Sequence, residues 1–162
     1  MANFQAFDGV VTMIDDFSVG QNNEAGCYKL FSVDDGHGVS VNFVVAPTTY
    51  FVDHVMVAVG DRVTGFYDKN APVPLIYPPQ FRALVMAKDT HYQNVKVDHF
   101  NRRLESSDGT LKLNIAAHTR ILLENGQAFT GNIANRNLIV VYGATTRSIP
   151  AQTTPTTIIV MC

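Results

Sequence analysis

The chain has 162 residues, of which 46% are hydrophobic and 16% charged, so it can bury a substantial core as one domain or as two small ones. Its formal net charge is −2 and its basic residues form no run, which argues against tight binding to duplex nucleic acid. The sequence has neither a basic start followed by an apolar run nor an apolar span of about 18 residues, so we expect a cytoplasmic protein that does not cross a membrane.

The two cysteines, Cys27 and Cys162, are too few for a disulfide-framed secreted module. They also lack the close spacing of zinc ligands, and the glycines are dispersed at turns instead of forming a phosphate-binding loop. We therefore expect two reduced thiols, with no metal and no cofactor.

The first half of the chain is predicted to form about five short strands, rich in β-branched and aromatic residues and bounded by Gly, Asp, Asn or Pro. In chain order they are GVVTMID (9–15), YKLFSVD (28–34), VSVNFVV (39–45), RVTGFYD (62–68) and FRALVMA (81–87). The segment DDGHG (34–38) predicts a tight antiparallel hairpin, because glycine adopts positive φ at little cost. The segment 48–60 holds at most one helical turn, so the sequence predicts an all-β fold.

The second half of the sequence resembles the first. Residues 62–86 and 137–161 share the pattern of strand, long proline-containing loop and strand, and residues 41–52 resemble 113–123 with one deletion. This similarity indicates an internal duplication, although two β-rich halves with a period of two residues also align by chance.

The duplication predicts one β-unit at residues 1–90 and a second at 91–162, or a single compact pseudo-symmetric domain. It also predicts that Ile158, Ile159, Val160 and Met161 form the last strand. Five strands with a hairpin and two long loops are the outline of a small Greek-key barrel.

One segment carries a family resemblance. VAVGDRVTGFYD (57–68), with TTYFV (48–52) before it and ALVMA (83–87) after it, resembles the small OB-like β-barrel modules of unknown function found in bacterial proteins. The resemblance implies two tandem OB-like Greek-key barrels of about five strands each, and it implies no chemistry.

No pair of residues forms a recognisable catalytic group. Asp53–His54 and Asp98–His99 are adjacent in predicted strands, where neighbouring side chains point to opposite faces and cannot form an orienting dyad. We therefore predict that the protein is not an enzyme.

One loop is rich in oxygen ligands. Its side chains suit either a calcium site or a solvated polar turn, and the spacing does not match an EF-hand loop, which favours the turn. These residues are Asp15, Asp16, Asn22, Asn23 and Glu24. His37, between two glycines of the hairpin, and Cys27, at a strand entrance, show no pattern of a reactive group.

The segment KNAPVPLIYPPQ (69–80), here called the arm, is apolar and proline-rich where the pattern requires a loop. Proline fixes φ and restricts the preceding residue, so the arm is expected to be stiff and extended. Its predicted partner-binding residues are Pro72, Val73, Pro74, Leu75, Ile76 and Tyr77. The arm would cover its own unit, bind another subunit or protein, or form a lid over a small ligand.

Charge is distributed unequally along the chain. Residues 1–87 contain four basic and nine acidic side chains, a net charge of −5, whereas residues 88–162 contain eight and five, a net charge of +3. Opposite charges favour attraction between the two units of one chain or of two chains.

The leading functional prediction is a non-enzymatic binding or assembly protein that associates with itself or with another protein through the arm. The first alternative is single-stranded nucleic-acid binding through aromatic rings and basic side chains, namely Tyr28, Phe43, Phe66, Arg102, Arg103 and Lys112. The second alternative is an enzyme or a metal protein whose site is not visible in the sequence.

Overall fold

The computed structural model describes residues 2–18 and 25–162. The chain divides into two compact units, Met1–Asp89 (unit 1) and Thr90–Cys162 (unit 2). The described residues contain strands and one 3-10 turn at Val52–His54, but no α-helix, so the protein is all-β as predicted.

Unit 1 contains seven strands in its described residues. They are β1 (Phe4–Asp16), β2 (Lys29–Asp34), β3 (Ser40–Val45), β4 (Tyr50–Phe51), β5 (Arg62–Asp68), β6 (Gln80–Arg82) and β7 (Val85–Lys88). They form one sheet in the order β4-β7-β5-β1-β2-β3-β6. The five strand segments predicted in this half match β1, β2, β3, β5 and the pair β6 and β7. The predictions for β2 and β3 begin one residue too early, and Ala83 and Leu84 interrupt the last segment.

The predicted hairpin joins β2 to β3, which pair antiparallel from Lys29↔Val45 to Asp34↔Ser40. Gly36 has φ of 80° and Gly38 has φ of 89°, the left-handed conformations that the turn requires. The hairpin prediction is therefore confirmed.

The core of unit 1 is built from alternate residues of its long strands around Phe43, which is fully buried. A Cβ atom added at Gly65 would lie 2.5 Å from the Phe43 ring, so only glycine allows β5 to pass this ring. The other buried members of the cluster are Val11, Phe31, Val33, Val41, Val45, Val63, Ala83 and Met86.

Unit 2 contains six strands, which form a four-stranded sheet in the order β10-β13-β11-β8 and a two-stranded sheet of β12 and β9. They are β8 (Asn94–Phe100), β9 (Leu111–Leu113), β10 (Arg120–Leu123), β11 (Arg136–Tyr142), β12 (Ala151–Thr153) and β13 (Thr157–Val160). The predicted last strand is present as β13, with Met161 just outside it. The buried cluster of unit 2 comprises Phe100, Leu111, Leu113, Ile133, Leu138, Val140, Ile158 and Val160.

Four strand pairings recur in both units in the same chain order, whereas the pairing of β2 with β1 and with β3 occurs in unit 1 alone among the named strands. In unit 1, β5 pairs antiparallel with β1 and β7, while β3 pairs parallel with β6 and β4 with β7. In unit 2, β11 pairs antiparallel with β8 and β13, while β9 pairs parallel with β12 and β10 with β13.

A threonine hydroxyl holds the start of β4 and of β10 in the same way. In unit 1, Thr49 Oγ1 accepts a hydrogen bond from the Ala46 amide at 3.0 Å and donates to the Ala83 carbonyl oxygen at 2.8 Å. In unit 2, Thr119 Oγ1 accepts from the Ala116 amide at 3.3 Å and donates to the Pro155 carbonyl oxygen at 2.8 Å. Corresponding positions of the two units can therefore be compared directly.

The prediction of two tandem OB-like Greek-key barrels of five strands is wrong. The described strands are arranged as a β-solenoid and not as barrels. In each of four parallel pairs, a later strand lies beside an earlier strand and runs in the same direction. The described strands form sheets of seven, four and two strands. The prediction failed because the alternation of inward and outward residues is the same in a barrel and in a solenoid, whereas parallel pairing joins distant segments and leaves no local signal.

Candidate functional site

The arm connects β5 to β6, and backbone hydrogen bonds fix both of its ends. The amide of Lys69 donates to the carbonyl oxygen of Asn3 at 2.8 Å, and the amide of Asn42 donates to the carbonyl oxygen of Pro79 at 2.8 Å. These two bonds attach the arm to strands of unit 1, because Asn42 lies in β3 and Asn3 immediately precedes β1.

Aromatic stacking reinforces the base of the arm. The rings of Tyr67 and Phe81, which flank the arm in sequence, stack with centroids 3.9 Å apart and an interplanar angle of 11°. Tyr67 also contacts the buried ring of Phe43 at a centroid distance of 6.2 Å. The arm therefore starts and ends on a rigid aromatic platform that is continuous with the core.

Residues 69–77 of the arm are all exposed. The exposed fractions are 43% for Val73, 101% for Leu75, 54% for Ile76 and 79% for Tyr77, and Pro72 and Pro74 lie between or beside them. The arm does not fold back over its own unit, since its apolar side chains would then be covered. The six residues predicted to bind a partner are thus displayed together on one loop.

The aromatic residues of the nucleic-acid alternative do not form an exposed platform. Phe43 is 0% exposed and Phe66 is 4% exposed, while Tyr28 is partly exposed. Stacking of bases requires open ring faces, so Phe43 and Phe66 cannot supply it. These three residues lie in unit 1, whereas the basic residues of the same hypothesis lie in unit 2.

The basic residues are gathered at the turn after β8. Arg102 and Arg103 are exposed and line a cavity of about 480 Å³ together with Asn101, Glu105 and Asn135. The Lys112 ammonium donates to the carbonyl oxygen of Arg103 at 3.0 Å. Three cations and one carboxylate thus lie together, but no exposed aromatic ring is among the residues that line this cavity.

Asp98 and His99 do not form a catalytic dyad. Asp98 is buried, and its carboxylate accepts hydrogen bonds from Ser107 Oγ at 2.5 Å and from the backbone amides of His99 and Asp108 at 2.8 and 3.3 Å. Two of these bonds, those from Ser107 and Asp108, hold the turn at residues 106–110, so Asp98 has a structural role.

A second carboxylate at this turn, Asp108, is held in its charged form. Burial would raise the pKa of Asp108, but the Lys96 ammonium, together with hydrogen bonds from Ser106 and Thr110, lowers this pKa well below its usual range. Lys96 Nζ lies 2.5 Å from Asp108 Oδ2. The two carboxylates, Asp98 and Asp108, stabilise one turn of unit 2.

The other candidate groups are dispersed. Asp53 and His54 lie in the 3-10 turn with φ of 61° and 54°, and Asp16 forms an ion pair with Lys29. Asn22, Asn23 and Glu24 lie outside the described residues. Within residues 2–18 and 25–162, no group of three His, Cys, Asp or Glu side chains is placed to hold a metal ion.

A second cavity, of about 610 Å³, lies in unit 2 and is here called the threonine cleft. All of its lining residues are uncharged. They are Asn114, Gly143, Ala144, Thr145, Thr146, Gln152, Thr153, Thr154 and Thr156. Sequence reasoning missed this site, although the density of threonine in residues 145–157 was a signal for it.

Comparison with known proteins gives no assignment: no family model, curated protein or solved structure matches this chain. The resemblance of residues 57–68 to OB-like modules is therefore wrong as a family relationship. In the part of the chain that the structure describes, no helix is long and apolar enough to cross a membrane.

Proposed function

We propose that this protein is a non-enzymatic binding and assembly protein, and that it associates with a second copy of itself through the arm. The observation that carries this proposal is the display of Val73, Leu75, Ile76 and Tyr77 on a loop whose two ends are fixed. Apolar side chains exposed together on a stiff element are typical of interaction surfaces. The low cysteine content supports action in the cytoplasm.

The arm is suited to binding because it loses little freedom when it docks. Four prolines within residues 69–80 restrict the backbone, and the stacked pair of Tyr67 and Phe81 fixes the base. Burial of Leu75, Ile76 and Tyr77 would contribute roughly 1.5–3 kcal/mol each, whereas association costs about 4 kcal/mol or more. The arm therefore supports weak association that depends on protein concentration.

The charges of the two units favour a second copy as the partner. Unit 1 contains five basic and ten acidic side chains, a net charge of −5, and unit 2 contains seven and four, a net charge of +3. Opposite net charges attract unit 1 of one molecule to unit 2 of another at long range. Apolar contacts of the arm then supply the binding free energy at short range.

Size-exclusion chromatography with light scattering tests the proposal. The wild-type mass should rise above that of the 17.8 kDa monomer as the concentration increases into the range of about 100 μM. The triple substitution Leu75→Ser, Ile76→Ser and Tyr77→Ser should restore the monomer mass. Its far-ultraviolet spectrum should be unchanged, because these side chains are exposed in a loop.

Met56→Ser is the matched control, since Met56 is also a large exposed apolar residue of unit 1 but lies outside the arm. This variant should associate like the wild type. A monomeric wild type overturns self-association and leaves a different protein as the partner of the arm. Loss of association in both variants indicates that the arm is not the specific contact.

A further inference from the structure

The threonine cleft of unit 2 includes Thr153, the position that corresponds to Phe81 at the base of the arm in unit 1. In unit 1, Phe81 of β6 pairs with Phe43 of β3, and its ring stacks on Tyr67. In unit 2, the corresponding pair is Thr153 of β12 with Leu113 of β9. Thr153 carries no ring; it is buried, and its hydroxyl donates to the carbonyl oxygen of Ala144 at 2.8 Å, so the stacked aromatic pair of unit 1 is replaced here by a hydrogen bond to the loop.

The hydrogen-bonding groups of the cleft are neutral. No charged side chain is among its lining residues, and seven of the nine carry a hydroxyl or an amide. A charged ligand would lose its hydration without gaining an opposite charge, which is unfavourable. The cleft therefore suits an uncharged ligand with several hydroxyl groups.

Two amide side chains present a donor beside an acceptor. Asn114 Nδ2 donates to Gln152 Oε1 at 3.2 Å, which leaves Asn114 Oδ1 and Gln152 Nε2 with no partner among the described residues. Each hydroxyl of a sugar can donate and accept, so neighbouring hydroxyls match such a pair. Thr145 and Thr154, which also line the cleft, are exposed residues.

An exposed aromatic residue lies near the same cleft. Tyr92 is 75% exposed, and its carbonyl oxygen lies 3.9 Å from the position that a Cβ atom of Gly143 would occupy. Gly143 lines the cleft.

From these observations we infer that the threonine cleft binds a neutral carbohydrate, with Asn114 and Gln152 hydrogen-bonding to adjacent hydroxyls. The site is a shallow groove of about 610 Å³ that is open to solvent, so it suits a ligand that is bound along one face. This site is independent of the arm, so either proposal can fail without the other.

Titration of the full chain with neutral tetrasaccharides, followed by two-dimensional amide NMR, tests the inference. The probes are the α-1,4- and β-1,4-linked tetramers of glucose, the β-1,4-linked tetramer of xylose and that of N-acetylglucosamine. At least one should shift the amide signals of Gln152 and its neighbours saturably, with a Kd of about 0.1–1 mM. The anionic tetramer of galacturonic acid should not bind.

Two variants assign the binding to the cleft. Asn114→Ala with Gln152→Ala should weaken binding about tenfold, and Thr145→Ala with Thr154→Ala should weaken it about threefold. The second variant changes only exposed threonines and should fold normally. It therefore tests the cleft even if the double change at Asn114 and Gln152 disturbs the fold. Gln80→Ala, at the position of unit 1 that corresponds to Gln152, is the control and should bind normally.

Either of two results would overturn the inference. One is the absence of shifts with all four neutral probes at about 10 mM, well above the expected Kd. The other is equal binding by the wild type and both cleft variants, which would place the carbohydrate elsewhere on the molecule.

Discussion

The loop that joins β5 to β6 and the loop that joins β11 to β12 occupy the same place in the strand pairings of the two units, yet their chemistry differs. The first is the arm, with Leu75, Ile76 and Tyr77 exposed above the stacked rings of Tyr67 and Phe81. The second is rich in threonine and borders an uncharged cleft, although it also exposes Ile149.

This difference shows that the composition of a connecting loop can change while the strand pairings around it stay the same. The parallel pairs fix where each loop begins and ends, and Thr49 and Thr119 support them with the same hydrogen bonds in both units. At one register position the two units differ: Phe81 in unit 1 stacks on Tyr67, whereas the buried Thr153 in unit 2 donates a hydrogen bond to Ala144 of the loop. A shared framework can thus present an apolar arm in one unit and a polar cleft in the other.

Removing the ring beneath the arm should have the largest effect. We expect Phe81→Thr to lower the free energy of unfolding by about 3 kcal/mol, because the stack on Tyr67 is lost and a cavity opens. The midpoint of urea unfolding measures this change. Leu75→Ser is the control and should change stability by less than about 0.5 kcal/mol, since Leu75 is fully exposed. An unchanged midpoint for Phe81→Thr would show that the stack does not fix the arm.

A methyl group at Gly65 should have the next largest effect. Its Cβ atom would lie 2.5 Å from the Phe43 ring, so Gly65→Ala must displace that ring at a cost of about 2 kcal/mol. Gly143→Ala, at the loop of unit 2, meets no atom closer than 3.9 Å and should be tolerated. Equal urea midpoints for the two variants would contradict the packing described for unit 1.

The carboxylate of Asp108 makes the stability of unit 2 dependent on pH. Because the folded-state pKa of Asp108 is lowered, its stabilisation is complete above the unfolded-state pKa of about 3.9 and is lost as the pH falls from there toward the folded-state pKa. We expect Asp108→Asn to cost about 1 kcal/mol at pH 7 after allowance for solvent screening.

Thermal melts at several pH values test this dependence. The difference in Tm between Asp108→Asn and the wild type should shrink as the pH falls below about 4. Asp15→Asn, which removes an exposed carboxylate at the end of β1, should melt like the wild type at each pH. A constant difference in Tm down to about pH 2 would exclude Asp108 as the titrating group.

Salt should have the smallest effect, and it separates the two contributions to self-association. Exposed charges are largely screened beyond about 8 Å at physiological ionic strength, whereas apolar burial persists. If the arm supplies most of the binding free energy, the dimer constant should change less than about threefold between low and moderate salt. Complete dissociation in moderate salt would assign the association to the charges of the two units.

Much of the secondary structure could be predicted from the sequence, because its signals are local. Alternating apolar residues located β2, β3 and β5, and Gly36 with Gly38 located the hairpin. The solenoid arrangement could not be predicted in this way, since pairs such as Tyr50↔Val85 join residues that are distant in sequence.

The candidate sites also could be predicted only where their signals are local in sequence. Proline and apolar residues made the arm visible in the sequence, and the structure shows that it is exposed. The threonine cleft was not predicted, because Asn114 and Gln152 come together only through the pairing of β9 with β12. The similarity of residues 62–86 to 137–161 predicts Val160 at the position of Val85, whereas the strand pairings place Thr157 there.

Sedimentation velocity over a concentration series of the wild type and of the variant with Leu75→Ser, Ile76→Ser and Tyr77→Ser tests the central claim most directly. We expect the weight-average sedimentation coefficient of the wild type to rise with concentration up to about 100 μM, and the variant to remain a monomer throughout. A wild type that sediments as a monomer over the whole range, or a variant that associates as strongly as the wild type, would contradict the claim that the arm mediates self-association.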